Sequence, residues 1–152
     1  METISVGRIF DAPADRIRST LGDPTAFFDA AGFEVERDGD RLKLRKRATV
    51  MQVELAIRLR DDETATLAYE QTSGPFEAMA TRYRVDQISA GSRLTIETSF
   101  EPPTTSLGAT LGTAMIERQR RTELDAVGSL LEVTAEPVDG ATKNRAVETR
   151  GD

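Results

Sequence analysis

Tyr69, Gln71, Thr81, Tyr83 and Thr98 are the side chains whose type and spacing point most directly to chemistry. They fall on alternating stripes with Leu55, Leu67, Met79 and Ile96. A few polar tips among apolar neighbours is the composition of a small-molecule site, in which the polar groups orient and the apolar walls hold. The plainer alternative is that Thr and Tyr are good strand formers whose tips reach water at the ends of a sheet. The sequence contains neither histidine nor cysteine. Thiol catalysis, zinc–thiolate sites and disulfides are thereby excluded, and the usual acid–base group near neutral pH is missing. A carboxylate–tyrosine pair remains possible, with Glu77 or Glu97 as base beside Tyr83. Glu97 has the parity opposite to Ile96, however, and should point away from it. No catalytic residue is assigned, and no metal or cofactor is expected.

Two further groups have open readings. Ala109, Gly112 and Thr113, followed by Ile116, lie on a segment of helical composition. Small residues there leave volume for a ligand, or let the helix approach a strand closely. Arg118, Arg120 and Arg121 sit among Glu117 and Glu123. An inward Arg120 could grip a carboxylate with two hydrogen bonds, whereas a solvated face of ion pairs is the commoner arrangement. The alternating Arg41, Lys43, Arg45 and Arg47 read as an exposed sheet face, and Asp61 to Glu63 as a hydrated turn. The terminal Arg150-Gly151-Asp152 reads as coincidence.

The elements that must position these groups follow from periodicity. Ile4, Val6 and Phe10 make a first strand. Asp11 is expected to cap a helix over 13–22, with Pro13 in its first turn and Ile17 and Leu21 buried. Asp23-Pro24 restarts the chain into a second short helix, "PTAFFDAAG", stopped by Gly32. The period then changes to two. "RDGD" is a hairpin signal, and the apolar parity changes between Ala48 and Met51, which calls for a bulge or a tight turn. Turns at "RDDET", "SGPF" and "SAGS" separate further alternating runs, as in an antiparallel meander with one buried face. Pro102-Pro103 closes the sheet, and 104–133 reads as one long helix. Two stripes compete along it: Ile116, Arg120, Leu124, Val127 and Leu131, or Leu107, Leu111 and Met115. The second stripe would suit a partner protein or a second copy of the chain.

At 152 residues the chain fits a single domain with a real core. The expected division is a domain over 1–136 and a polar, aperiodic, disordered tail over 137–152. The net charge of −6 repels phosphate backbones, so no nucleic-acid partner is expected. Only Lys43, Lys46 and Lys143 are lysines, and together with the excess of carboxylates this points to a salt-loving host. No run of about 18 apolar residues occurs, so no transmembrane segment is expected. The first ten residues lack the features of a signal peptide, and the expectation is a cytoplasmic protein.

One strand, two short helices, a meander of about six strands and one long helix is an α+β order. In that order the stretch "RIFDAPADRIRSTLGDP", with Phe27 or Phe28 after the restart, resembles the opening of START-like (SRPBCC) proteins. The polyketide cyclase/dehydrase and lipid-transport branch is the most similar. The resemblance covers residues 1–135 in element order. It implies a helix-grip fold, a curved antiparallel sheet of six or seven strands wrapped around a long C-terminal helix. It also implies an apolar ligand between sheet and helix. On that basis the candidate ligand contacts are Leu55, Tyr69, Gln71, Met79, Thr81, Tyr83, Thr98, Ala109, Gly112 and Ile116. The expected function is binding or transport of a lipid, quinone, isoprenoid or polyketide-like molecule. A cyclase/dehydrase-type enzyme and a protein-interaction module, including a homodimer, are the alternatives, because this fold hosts unrelated activities.

Overall fold

The structure, a computed structural model, describes residues 1–47, 52–101, 106–134 and 146–150, excepting the side chains at 47, 52, 106–111, 133–134 and 146–150. Strand β1 (Glu2–Phe10) leads into helices α1 (Ala14–Leu21) and α2 (Pro24–Ala30). Strands β2 (Glu34–Asp38), β3 (Arg41–Arg47), β4 (Gln52–Leu59), β5 (Leu67–Ser73), β6 (Ala78–Ile88) and β7 (Gly91–Glu101) then form the meander. Helix α3 (Ser106–Thr134) crosses its concave face, and β8 (Ala146–Arg150) follows. The sheet order is β2-β3-β4-β5-β6-β7-β1-β8, antiparallel throughout. Seven strands gripping a long helix, with two short helices after the first strand, is the helix-grip architecture expected from the sequence.

Alternation decides which face is buried. Met79, Thr81, Tyr83 and Val85 on β6 are buried, as are Leu94, Ile96, Thr98 and Phe100 on β7. The register pairs Thr81 with Thr98 and Tyr83 with Ile96, so the two stripes share one face. On α3 the stripe Ile116, Arg120, Leu124, Val127 and Leu131 is buried against that face. Met115, from the competing stripe, is half-buried, and the Leu107 and Leu111 side chains lie outside the described residues.

Local signals behave unevenly. Asp23 caps α2 by accepting the Ala26 N–H at 3.2 Å, with Pro24 at the first helical position. Gly32, at φ 97°, ends that segment as expected. Asp11 does not cap α1. Pro13 occupies the cap position without a side-chain bond, and Gln87 at the far end of β6 accepts the Ala14 N–H at 2.9 Å. A tertiary contact therefore does what a local cap was expected to do. Gly91, at φ 134°, lies so close to β1 that a Cβ there would collide with the Phe10 carbonyl oxygen.

The parity change falls where the chain reverses between Arg47 and Gln52, whose turn lies outside the described residues. A separate bulge interrupts the β4–β5 ladder at Ala56/Ile57. The tail departs from expectation. Ala146 to Arg150 pair with β1 from Phe10 to Val6, adding an eighth strand where a disordered segment was expected, while 135–145 and 151–152 lie outside the described residues. No helix among the described residues is long and apolar enough to cross a membrane.

Candidate functional site

Helix α2 sets the first wall. Its consecutive phenylalanines are fully buried and meet the two tyrosines edge-on: Phe27 on Tyr83 at 5.6 Å between centroids, Phe28 on Tyr69 at 5.7 Å. This fixes both phenol rings with their hydroxyls 3.2 Å apart beneath α3.

Helix α3 supplies the charges. Arg120 is 4% exposed and turned toward the sheet, where its guanidinium is almost fully used. Nε donates to Thr98 Oγ1 at 2.9 Å, Nη2 to Thr81 Oγ1 at 2.9 Å, and Nη1 to Glu123 Oε2 at 2.7 Å. Glu123 is fully buried and accepts twice more, from the Tyr83 hydroxyl at 2.5 Å and from Gln119 Nε2 at 2.9 Å. The threonine hydroxyls touch each other at 3.0 Å, and Thr81 also reaches Met79 Sδ at 3.3 Å. Lys46, half-buried on β3, donates to Gln119 Oε1 at 2.7 Å and lies 5.4 Å from the Phe33 ring centre. A continuous polar chain therefore runs from Lys46 at the rim to Thr98 in the core.

The electrostatics follow from burial. Desolvation raises the Tyr69 hydroxyl above its ordinary pKa, and the charge of Glu123 adds to the rise at Tyr83, which is raised well above it. Both phenols stay protonated and act as hydrogen-bond donors. Burial by itself disfavours the Arg120 cation, but the adjacent Glu123 charge outweighs burial and its pKa is raised. Lys46 is lowered by desolvation, partly offset by Glu123.

Of the sequence candidates, Tyr69, Met79, Thr81, Tyr83 and Thr98 converge on this cluster, and Ile116 lies buried one turn before Arg120. Leu55 is half-buried against the core. Gln71 is used elsewhere: its amide donates to the Phe76 carbonyl at 2.7 Å and holds the β5–β6 loop. Gly112 is buried, and a Cβ on it would come within 3.1 Å of the Phe76 ring. Close packing, not open volume, therefore explains this glycine. The Ala109 side chain lies outside the described residues.

Arg120 takes the inward one of its two readings. Glu123, Gln119 and Lys46 were missed as site residues. The signal existed on the helix, because 116, 119/120, 123 and 127 trace the same inner stripe at spacings of three and four. Lys46 was visible as the one cation off the parity of Lys43 and Arg45. Glu77 is exposed, and Glu97 points outward to Arg82 at 2.8 Å, so neither meets Tyr83. On the outer sheet face Arg45 pairs with Glu54 at 2.9 Å, the solvated arrangement expected there. Asp62 accepts from the Thr64 backbone N–H at 2.8 Å and so closes its own turn. Two grooves of about 590 and 340 Å³ lie on exposed parts of the sheet, over β5–β7 and over β2–β4. No group of three or more Asp or Glu among the described residues is arranged to hold a metal ion.

No protein-family model matches the sequence, and no curated protein matches it significantly. Solved structures do match in three dimensions. A Thermus thermophilus protein is similar at TM-score 0.72 and 15% identity, over 88% of this chain and 100% of that one. The Zhui aromatase/cyclase from a Streptomyces species is similar at TM-score 0.70 and 19% identity, over 88% of this chain and 98% of that one. A START superfamily protein from Mycobacterium smegmatis is similar at TM-score 0.63 and 14% identity, over 84% of this chain and 98% of that one. At these identities the likeness is one of fold: the chain shares the helix-grip architecture of START-like structures.

Proposed function

We propose that the protein binds a small molecule with an apolar body between the curved sheet and α3, its polar end directed to the Arg120–Glu123 cluster. One observation carries this reading. Hydroxyls from the inner stripes of three strands and an ion pair from the helix converge inside walls of Phe, Leu, Ile and Met. A protein interior needs no such cluster for stability, since well-packed apolar residues of similar volume serve as well or better. The shared fold supports the same reading, because it sets a concave sheet against one long helix. Native mass spectrometry of protein purified from its host tests it. A co-purifying small molecule is expected, displaced by a neutral apolar fluorophore. A mass equal to the bare chain together with no fluorophore uptake would overturn it.

A second reading, a cyclase- or dehydratase-type enzyme, is favoured by the Tyr83–Glu123 contact at 2.5 Å and by the likeness in fold to an aromatase/cyclase. A buried phenol beside a carboxylate and a guanidinium can turn its one hydroxyl hydrogen from Glu123 to a substrate carbonyl, polarise it and stabilise an enolate. Under this reading a poly-β-ketone thioester loses water in the presence of the protein, and Tyr83→Phe abolishes the loss. Equal rates with and without protein would reject it.

A further inference from the structure

We infer that the ligand is a monoanion, an apolar body ending in a carboxylate, and that Lys46 receives that carboxylate at the rim of the cluster. This rests on the reading that a small molecule binds against Arg120 and Glu123, and it names the ligand's class. Lys46 has the inward parity of buried Leu42 and Leu44 on β3, where an apolar side chain would continue the stripe. Its ammonium is instead fixed between three elements. It donates to Gln119 Oε1 on α3 at 2.7 Å and to the Ala31 carbonyl after α2 at 3.4 Å, with the Phe33 ring centre 5.4 Å away. Both acceptors are neutral. An ammonium has three hydrogens, so one is left to donate.

Charge accounting points the same way. Arg120 and Lys46 bring two positive charges and Glu123 one negative, which leaves one positive charge over. Glu123 already accepts from Arg120, Tyr83 and Gln119, and the Gln119 carboxamide stands between it and the ammonium. Burial draws the Lys46 pKa below its ordinary value, and the charge of Glu123 restores it only in part. A ligand carboxylate on Nζ supplies the missing counter-charge through a charge-assisted hydrogen bond. One negative charge balances the group, whereas a dianion such as a phosphate monoester leaves one unanswered. A lysine that merely lays its stem on apolar surface with its head in water would make no such distinction.

Isothermal titration with 1-naphthoate and 1-naphthol at pH 7 tests the inference, since the two share a ring system and differ in charge. Wild type is expected to bind 1-naphthoate tighter by about tenfold. Lys46→Met keeps the stem and removes the charge, so that preference is expected to vanish while 1-naphthol binding stays within about twofold. Lys43→Met, on the exposed face of the same strand, removes an equal charge and is expected to leave both affinities unchanged. Equal or tighter binding of 1-naphthol by wild type overturns the inference while leaving small-molecule binding intact. A folded Lys46→Met protein that keeps the wild-type preference overturns the role given to Lys46. Binding of neither probe overturns the binding reading and the inference with it. Should the methionine variant not fold, Lys46→Gln, a neutral donor, gives the same readout.

Discussion

The Tyr83 hydroxyl donates to Glu123 Oε1 at 2.5 Å, joining the centre of β6 to the middle of α3 across 40 residues of sequence. The bond ties the gripping sheet to the gripped helix at a point where neither side chain meets water. It also makes the two halves of the cluster interdependent. The carboxylate that accepts from Tyr83 and Gln119 is the one that neutralises Arg120.

Removing one member should therefore harm the fold more than removing the pair. Glu123→Leu leaves Arg120 buried without a counter-charge, a change that typically costs about 3–5 kcal/mol. Arg120→Leu combined with Glu123→Leu strands only neutral hydroxyls and the Gln119 amide, and should be less destabilised than Glu123→Leu alone. Urea titrations of both single variants and the double give the coupling directly. Additive losses would show that the two charges do not support one another.

The tyrosines make stability depend on alkaline pH. Their folded pKa values lie above the ordinary 10.0, so the unfolded chain releases these protons first. Their contribution is complete below about pH 10 and falls as pH rises toward the folded values. Lys46 acts in the opposite sense, because its folded pKa lies below 10.5 and the folded state gains relative stability as that proton leaves. The urea midpoint should begin to drop as pH rises above about 10, and drop less in a Tyr69→Phe/Tyr83→Phe double variant. An identical drop in both proteins would assign the loss to other groups.

Period and parity made the sheet, two competing helix stripes and five residues of the candidate cluster legible in the sequence. Thr81, Tyr83 and Thr98 face inward simply because Met79 and Ile96 do. What stayed hidden was set by contacts between distant residues. A charged pair at 120 and 123 looks the same in sequence whether it faces water or the core, and only the Thr81 and Thr98 acceptors distinguish the cases. The cap of α1 comes from Gln87, 73 residues away from Ala14. Strand β8 was missed because an edge strand can be held by main-chain bonds, which leave no apolar period to read.

That strand gives a prediction about the tail. Ala146–Arg150 pairs with β1 over five positions, Phe10 to Val6. A chain ending at Glu136 should lose those bonds, so alternate amides between Val6 and Phe10 should exchange with solvent faster and the melting midpoint should fall. The β7-facing amides of β1 are bonded across the whole strand and should keep their protection. Unchanged exchange throughout Val6–Phe10 would show that β8 adds nothing to the edge.

Gly112 offers the last test, because its two readings differ in sign. Filling an open cavity with leucine would stabilise α3, since a mid-helix glycine is about 0.8–1 kcal/mol worse than alanine and leucine is nearly as good a helix former. The structure instead sets the Phe76 ring edge 3.1 Å from where the first added carbon would sit, with Phe100 at 4.0 Å beyond. Leucine carries three more carbons into that space. Phe76 cannot retreat freely: its ring meets Phe100 edge-on at 5.5 Å between centroids, and Gln71 holds its backbone. Gly112→Leu should accordingly cost about 1–3 kcal/mol, the range for overpacked cores. Adding Phe76→Ala to Gly112→Leu removes the obstructing ring and should recover part of that loss. A denaturant titration of the wild type, both single variants and the double separates the outcomes. A stabilised Gly112→Leu protein would mean that Phe76 swings aside and that the space beneath this turn of α3 is open after all.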